Sequence, residues 1–521
     1  MKRPLALAAG LAAVLLVAGC AGGGTPAPTG GTAAPAEGAY DPDATFTWVY
    51  STPAGSLDPT KIKNGPESGF LYPIYDTLTF EAADLTLHPM LAESWELSED
   101  GKDLTLTLID GWTYHDGTPF DAESVKANLE RNGAEGSFSR RALAPLTGVD
   151  VLDDRTLVLH TATAASPLIG IIAGPAGMMM SPAAFDKAGE DTAPTGGSGQ
   201  YRVTSFDPNA QITYEAVDDY WDADLRRPAT IVTLIAGDDN ARLNLVLSGD
   251  GDATYLGAAV MAPAEQAASG GDFVIFGTPG VETWQLNLNT SIPPLDDVRV
   301  RQAIAAAIDR QGLSEISNGL CSPEVQLFPS TYWAGDPDIT ADQYPRDTEL
   351  ASELLADAGY PDGFSIDMDI LARDTRQQSW GEIIQQNLAD VGIKVNLLPK
   401  DPAVKVEDFQ VAKTSAISLG GQKANPDPSI TVSDYLLADG TLNPGGLAND
   451  EIAELAQQAL LGDQEARGAV YHEIMALSVE NASPIVFCNN SAPFISNLET
   501  HDLPTFASGI RKLRGVWMSA E

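Results

Sequence analysis

The sequence predicts a mixed α/β fold spread over two or three domains, and three observations predict it. Beyond the first 40 residues lie about 480 more, too many for one compact core. Period-two alternation recurs in the first half, Leu104-Thr105-Leu106-Thr107-Leu108 being the clearest case, and that period marks a strand with one face buried. Residues 364–397 then read strand–helix–strand, the unit from which a sheet covered by helices is built.

The elements follow in chain order. Lys2 and Arg3 precede an apolar run from Leu5 to Val17, and small residues lead into a cysteine at Val17-Ala18-Gly19-Cys20. A membrane-spanning helix needs ~20 apolar residues, more than this run holds. The pattern resembles a bacterial lipobox. We therefore expect residues 1–19 to be a lipoprotein signal peptide and Cys20 to be lipidated, holding the protein outside the cytoplasm on the cell membrane. Residues 21–40 are Gly, Ala, Pro and Thr with almost no apolar bulk, so 20–40 is expected to be a flexible linker, spanning roughly 25 Å root-mean-square.

Leu104–Leu108 is followed by a turn over Gly111–Pro119 with Asp116-Gly117 at its tip, and Asp121 is placed to cap a helix over Ala122–Arg131. Arg155–His160, Gln211–Val217 and Trp284–Asn289 read as strands. Asp296 and Asp297, carboxylates at the favourable end of a helix dipole, open a helix expected to run to Arg310. Thr348–Ala358 is a helix ended by Gly359 and Pro361. Phe364–Leu371 alternates as a strand, Ser379–Val391 is a helix closed by Gly392, and Ile393–Leu397 is the next strand.

Charge and cysteine count narrow the function. The net charge is −42, and loss of Lys2 and Arg3 with residues 1–19 takes it to −44. That excess of carboxylates argues against binding nucleic acid or an anionic membrane. Beside Cys20 only Cys321 and Cys488 remain, an even number in an oxidising compartment, and we expect them to pair rather than stay as two buried thiols. The five histidines, His88, His115, His160, His472 and His501, form no HExxH pattern, and neither a GxSxG elbow nor a phosphate-binding GxxxxGK[ST] loop occurs. An enzyme is not expected, nor any cofactor or metal. His115-Asp116-Gly117 is explained as a turn between strand and helix.

Several segments together resemble one family. Leu91-Ala92-Glu93-Ser94-Trp95-Glu96, Trp112 through Phe120 (WTYHDGTPF), Gly197-Ser198-Gly199-Gln200-Tyr201-Arg202 and Asp219-Tyr220-Trp221 are similar to blocks of the extracellular solute-binding proteins of peptide and nickel importers (family 5). Pro294 through Ile304, Ile308-Asp309-Arg310, Leu354 through Tyr360, Val391 through Val395 and Asp427-Pro428 continue the likeness in order, from about residue 46 to about 490. The resemblance implies a two-lobed α/β fold of the periplasmic-binding-protein type, cluster C, with an extra subdomain in the first lobe. The first lobe is placed at 41–85, 195–282 and 495–521, the subdomain at 86–194 and the second lobe at 283–494. It further implies a monomer that captures a small molecule, by default an oligopeptide, between the lobes and delivers it to ABC transporter permease subunits. A ligand-presenting sensor of the same fold remains an alternative, as does an opine, a sugar-derived compound or a metal chelate as ligand.

The resemblance also locates the site and a departure from it. Peptide-binding members use an aspartate four residues before the proline of their Asp/Glu-Pro element and often a tryptophan three residues earlier. Counted from Pro428, these fall on Ala424 and Gly421, so the ammonium anchor and the aromatic wall are both missing. Gln422, Lys423 and Asn425 are the polar candidates in that loop. Ser56 in the turn after the first strand, Arg373 after Leu371, Trp284 and the Tyr332-Trp333 pair are the others. Arg373 and Lys423 are expected to form a cationic side that favours a carboxylate-bearing ligand.

Overall fold

A computed structural model describes residues 39–83, 85–277, 279–422, 425, 427–491, 493–504 and 512–520. Cys20, the signal peptide and nearly all of the expected linker lie outside the described residues, as do Lys423 and Ala424. Tyr40, which composition places in the linker, is held: it bridges Ser519, and its hydroxyl donates to the Arg227 carbonyl.

Two large sheets organise the chain. The first has seven strands in the order 273–276, 494–497, 253–255, 45–50, 230–235, 211–216, 201–207. Strand Thr45–Tyr50 sits inside it, flanked in parallel by Thr230–Ile235 and Ala253–Tyr255. The second has six strands in the order 321–323, 485–491, 279–288, 417–422, 364–371, 393–400. There Phe364–Leu371 runs parallel to both Ile393–Lys400 and Ile417–Gln422. A separate antiparallel sheet of four strands, 92–97, 103–108, 156–161 and 146–151, carries helix Ala122–Asn132 and has its own core around Leu106, Val125 and Leu157.

The alternation that predicts strand 103–108 is the alternation of its burial: Leu104, Leu106 and Leu108 are fully buried while the residues between them are half-exposed. Asp121 caps its helix in both directions. Its carboxylate accepts from the Ser124 amide at 2.8 Å, and its own amide donates to the Ser124 hydroxyl at 3.1 Å.

Two helices depart from expectation. The helix opened by Asp297 stops at Ala307, because Ile308 turns extended (ψ 125°) and Asp309 caps a separate helix, Arg310–Ile316, by accepting from the Gly312 amide. The helix expected from Ser379 begins a turn earlier, at Thr375, where Asp374 caps it through the Gln377 amide. That extra turn decides where Arg376 lies.

The second sheet is packed on both faces. On one, Trp284, Leu286, Met368, Trp380 and Phe487 belong to a core with the helices 298–307 and 375–389. On the other, Phe328, Tyr435 and Tyr471 pack with helices 428–436, 450–458 and 464–481. Cys321 and Cys488, on neighbouring antiparallel strands with Cα atoms 5.3 Å apart, are joined in a disulfide.

Candidate functional site

Strand direction locates the site before any side chain does. The chain passes between the two large sheets twice, from Phe276 to Pro279 and from Ser491 to Phe494. In the first sheet Phe276 and Tyr255 both face Phe494 in register, and Tyr50 pairs with Ile235, so the crossings leave from the carboxyl ends of the parallel strands. In the second, Pro279 pairs with Ser491 and Thr283 with Gln422, so the crossings arrive at the carboxyl ends there too. Both sheets therefore turn their carboxyl edges toward one shared cleft, the edge at which open α/β sheets bind ligands.

On the first sheet this edge is aromatic. Tyr50 and Tyr255 meet edge to face and Phe276 stacks on Phe494 along it, with the Arg242 guanidinium 4.5 Å from the Tyr255 ring centre. The Tyr255 hydroxyl donates to the Ser51 hydroxyl. Ser56 lies deeper: its hydroxyl accepts from the Asp58 amide at 3.1 Å and braces the turn, whose Asp58 carboxylate is gripped by Arg131 at 2.8 Å.

On the second sheet Trp284 lies opposite Gly421, and the pairing explains the glycine. A Cβ at 421 would stand 2.9 Å from Cε2 of the Trp284 indole. The indole packs edge-on against Trp380 at 5.1 Å, and Arg376 covers it with Cζ 4.2 Å from the ring centre. The Trp284 ring N–H is buried without a hydrogen-bond partner among the described residues. Arg373, three residues before Arg376, is exposed in the turn that follows strand 364–371. Neither arginine is in an ion pair among the described residues. Behind them Lys405 donates to the Leu419 carbonyl, and burial pushes its ammonium down to about 8 against the pull of Asp369 and Asp374.

Gln422 is buried. Its amide nitrogen donates to the Thr431 hydroxyl at 3.0 Å and its oxygen accepts from the Thr283 hydroxyl at 3.2 Å. Asn425 donates to the same Thr431 oxygen at 2.9 Å. Both line a pocket of about 10 Å³, room for about one water, whose other wall is Glu81 and Leu85 from the first part of the chain. Glu81 already pairs with Lys512 at 3.1 Å. Tyr332 closes the pocket; burial first, then Asp427 and Glu81, drive its hydroxyl far above the ordinary range.

Asp427 does not face a ligand. Both its oxygens accept from Arg467 at 2.7 Å, and Oδ1 also takes the Ser429 amide at 3.0 Å as helix cap. Burial, the largest single influence, opposes the Arg467 charge, but Asp427 and the Tyr471 hydroxyl together outweigh it and the guanidinium pKa is raised. Arg467 in turn lies over Trp333 and Tyr471.

His115, read as part of a turn, and the other motif residues Tyr220, Trp221 and Arg310 do structural work. His115 bonds the Gly199 carbonyl at 2.8 Å in its turn. Tyr220 and Trp221 both donate to buried Asp76, and Arg310 donates to the Glu324, Val486 and Ala305 carbonyls. The structure thus gathers Trp284, Arg373, Gln422 and Asn425 at one edge and sets Ser56 into a turn. Sequence reasoning missed Arg376, Glu81 and the Trp284–Gly421 contact; the Asp374-x-x-Gln377 start of a helix was the signal available for the first.

The comparisons agree with the fold. The family described as "Bacterial extracellular solute-binding proteins, family 5 Middle" matches residues 86–443. A glutathione-binding protein of Pectobacterium atrosepticum is 29% identical over 370 residues, 69% of this chain and 70% of the relative. Among solved structures, HbpA2 from Haemophilus parasuis superposes with a TM-score of 0.82 at 21% identity, over 92% of this chain and 100% of that one. The binding protein AgaA of A. tumefaciens, in complex with agropinic acid, gives 0.72 at 25% identity, over 92% and 99%.

Proposed function

Because the chain belongs to family 5 of the bacterial extracellular solute-binding proteins, the extracytoplasmic binding components of ABC importers and not enzymes, we propose that its cargo is a small carboxylate-bearing ligand, by default a short peptide. The observation that carries this is the pair Arg373 and Arg376 at the cleft edge, unpaired among the described residues, in a chain of net charge −42. Guanidinium groups bind carboxylates through paired N–H donors, and the surrounding acidic field penalises an anion that cannot reach them. A glutathione-binding relative and an agropinic-acid-binding neighbour support the direction, since both ligands carry acidic groups. Glutathione, a tripeptide with more carboxylates than ammonium groups, is the first ligand to test.

The finer assignments belong to the same proposal. Lipidation of Cys20 after Val17-Ala18-Gly19 would tether the first lobe to the cell membrane beside its permease. Lobes divided as 41–85, 195–282 and 495–521 against 283–494, with 86–194 as subdomain, fit the three sheets except at the crossings, where strand 279–288 lies wholly in the second sheet and strand 494–497 in the first; the chain would act as a monomer. The test is isothermal titration of residues 40–521 with glutathione and with short peptides, repeated on Arg373→Ala/Arg376→Ala. A charge-assisted hydrogen bond is worth about 1.5–3 kcal/mol, so the double variant should bind at least about 100-fold more weakly. Unchanged affinity refutes the arginine assignment.

A further inference from the structure

Asn425 faces two cavities. Besides the small pocket it shares with Glu81, it lines a second of about 580 Å³ between the four-stranded subdomain and the second lobe. The size falls within the range of small-molecule sites. Ala142, Pro167 and Ile171 form the subdomain wall; Ile430, Leu437 and Leu460 form the wall opposite. The charges present, Arg141 and Asp434, face each other at 3.6 Å, and Arg141 is exposed. Two further contacts span the gap beside it: the Ser166 hydroxyl donates to the Leu460 carbonyl, and Leu461 lies so close to Gly101 that a Cβ there would stand 2.9 Å from it. The subdomain and the second lobe thus meet around a mainly apolar chamber that shares Asn425 with the small polar pocket.

We propose that this chamber receives an uncharged, apolar extension of the ligand, making the subdomain a specificity-determining wall of the site. The inference rests on the reading of the cleft as the ligand site. An apolar occupant is favoured because most of the lining is apolar, with neutral Ser139, Thr163, Ser433 and Gln457 between, and the bordering charges are already paired, so a charged group would lose water without gaining a partner. The occupant is part of the ligand because Asn425 is common to both cavities.

The test compares glutathione with S-hexylglutathione on the full folded chain by isothermal titration, using Ile430→Trp and Ala142→Trp to fill the chamber from either wall. The expected result is that S-hexylglutathione binds at least 10-fold tighter than glutathione. Either tryptophan should abolish that advantage while leaving glutathione within 2-fold of wild type. Equal affinities, or variants that weaken both ligands alike, overturn the chamber proposal while the cleft reading stands. If neither compound binds, glutathione is not the cargo, and the small molecule released from denatured wild-type protein decides instead. A released compound with an aliphatic or aromatic group, retained less by Ile430→Trp, upholds the chamber; any other result overturns it.

Discussion

Removing the Asp427 carboxylate should destabilise the second lobe more than any other single change at the site. Asp427 and Arg467 are 3% and 6% exposed, so Asp427→Ala strands a guanidinium that keeps its Ala459 carbonyl and Tyr471 hydroxyl contacts but has no counter-charge. Breaking a buried pair this way costs about 3–5 kcal/mol. The same substitution removes the cap of helix Pro428–Leu436, worth about 1 kcal/mol. One carboxylate serves both roles, so the losses overlap, and we expect about 4–5 kcal/mol in all. For a cooperative unit of about 200 residues this lowers the melting temperature by about 8–20 °C. Urea unfolding followed by tryptophan emission is a suitable assay, because Arg467 lies 5.5 Å from the Trp333 ring centre. Adding Arg467→Met should recover at least about 1–2 kcal/mol, since the stranded charge is then gone. A loss below about 1.5 kcal/mol for Asp427→Ala, or no recovery in the double variant, would refute the assignment of this pair as the internal anchor of the loop.

Three further outcomes follow from the same structure. Reducing Cys321–Cys488, which are 167 residues apart in sequence, should lower stability by about 5 kcal/mol in the chain-entropy account, read as a shift of the urea midpoint with and without reductant. Burial raises the Glu324 carboxyl to about 6, against its ordinary 4.5, so the folded state holds this proton more tightly than the unfolded one. Its stabilising effect is then complete below about pH 4.5 and is lost as pH rises through 6, a change of about 2 kcal/mol; the stability difference between wild type and Glu324→Gln should move by that amount between pH 4.5 and 7.5. Gly421→Val should cost about 1–3 kcal/mol by driving its side chain into the Trp284 indole, and should blue- or red-shift tryptophan emission; unchanged stability would mean the indole lies elsewhere.

Local physics made much of the fold legible. Period-two leucines mark strand 103–108, and a capping aspartate marks the helix at 122, because burial and capping act within a few residues. The break at Ile308 was hidden because Asp309 sits inside an otherwise continuous helical pattern, and nothing local says that its carboxylate prefers the Gly312 amide to solvent. The site was legible only in outline. Counting back from Pro428 finds the loop and the glycine at 421, but not why that residue is a glycine. The reason is Trp284, 137 positions away, brought opposite it by strand register. Arg376 on that indole and Glu81 across the cleft are equally non-local, joined by chain crossings that no short pattern encodes.

The most direct test of the central claim is to purify the folded chain from its host, denature it and identify the released small molecule by mass spectrometry. The account predicts one compound class, bound one per chain, carrying a carboxylate and depleted in Arg373→Ala/Arg376→Ala. A released ligand without an acidic group, or one retained equally by the double variant, would contradict it.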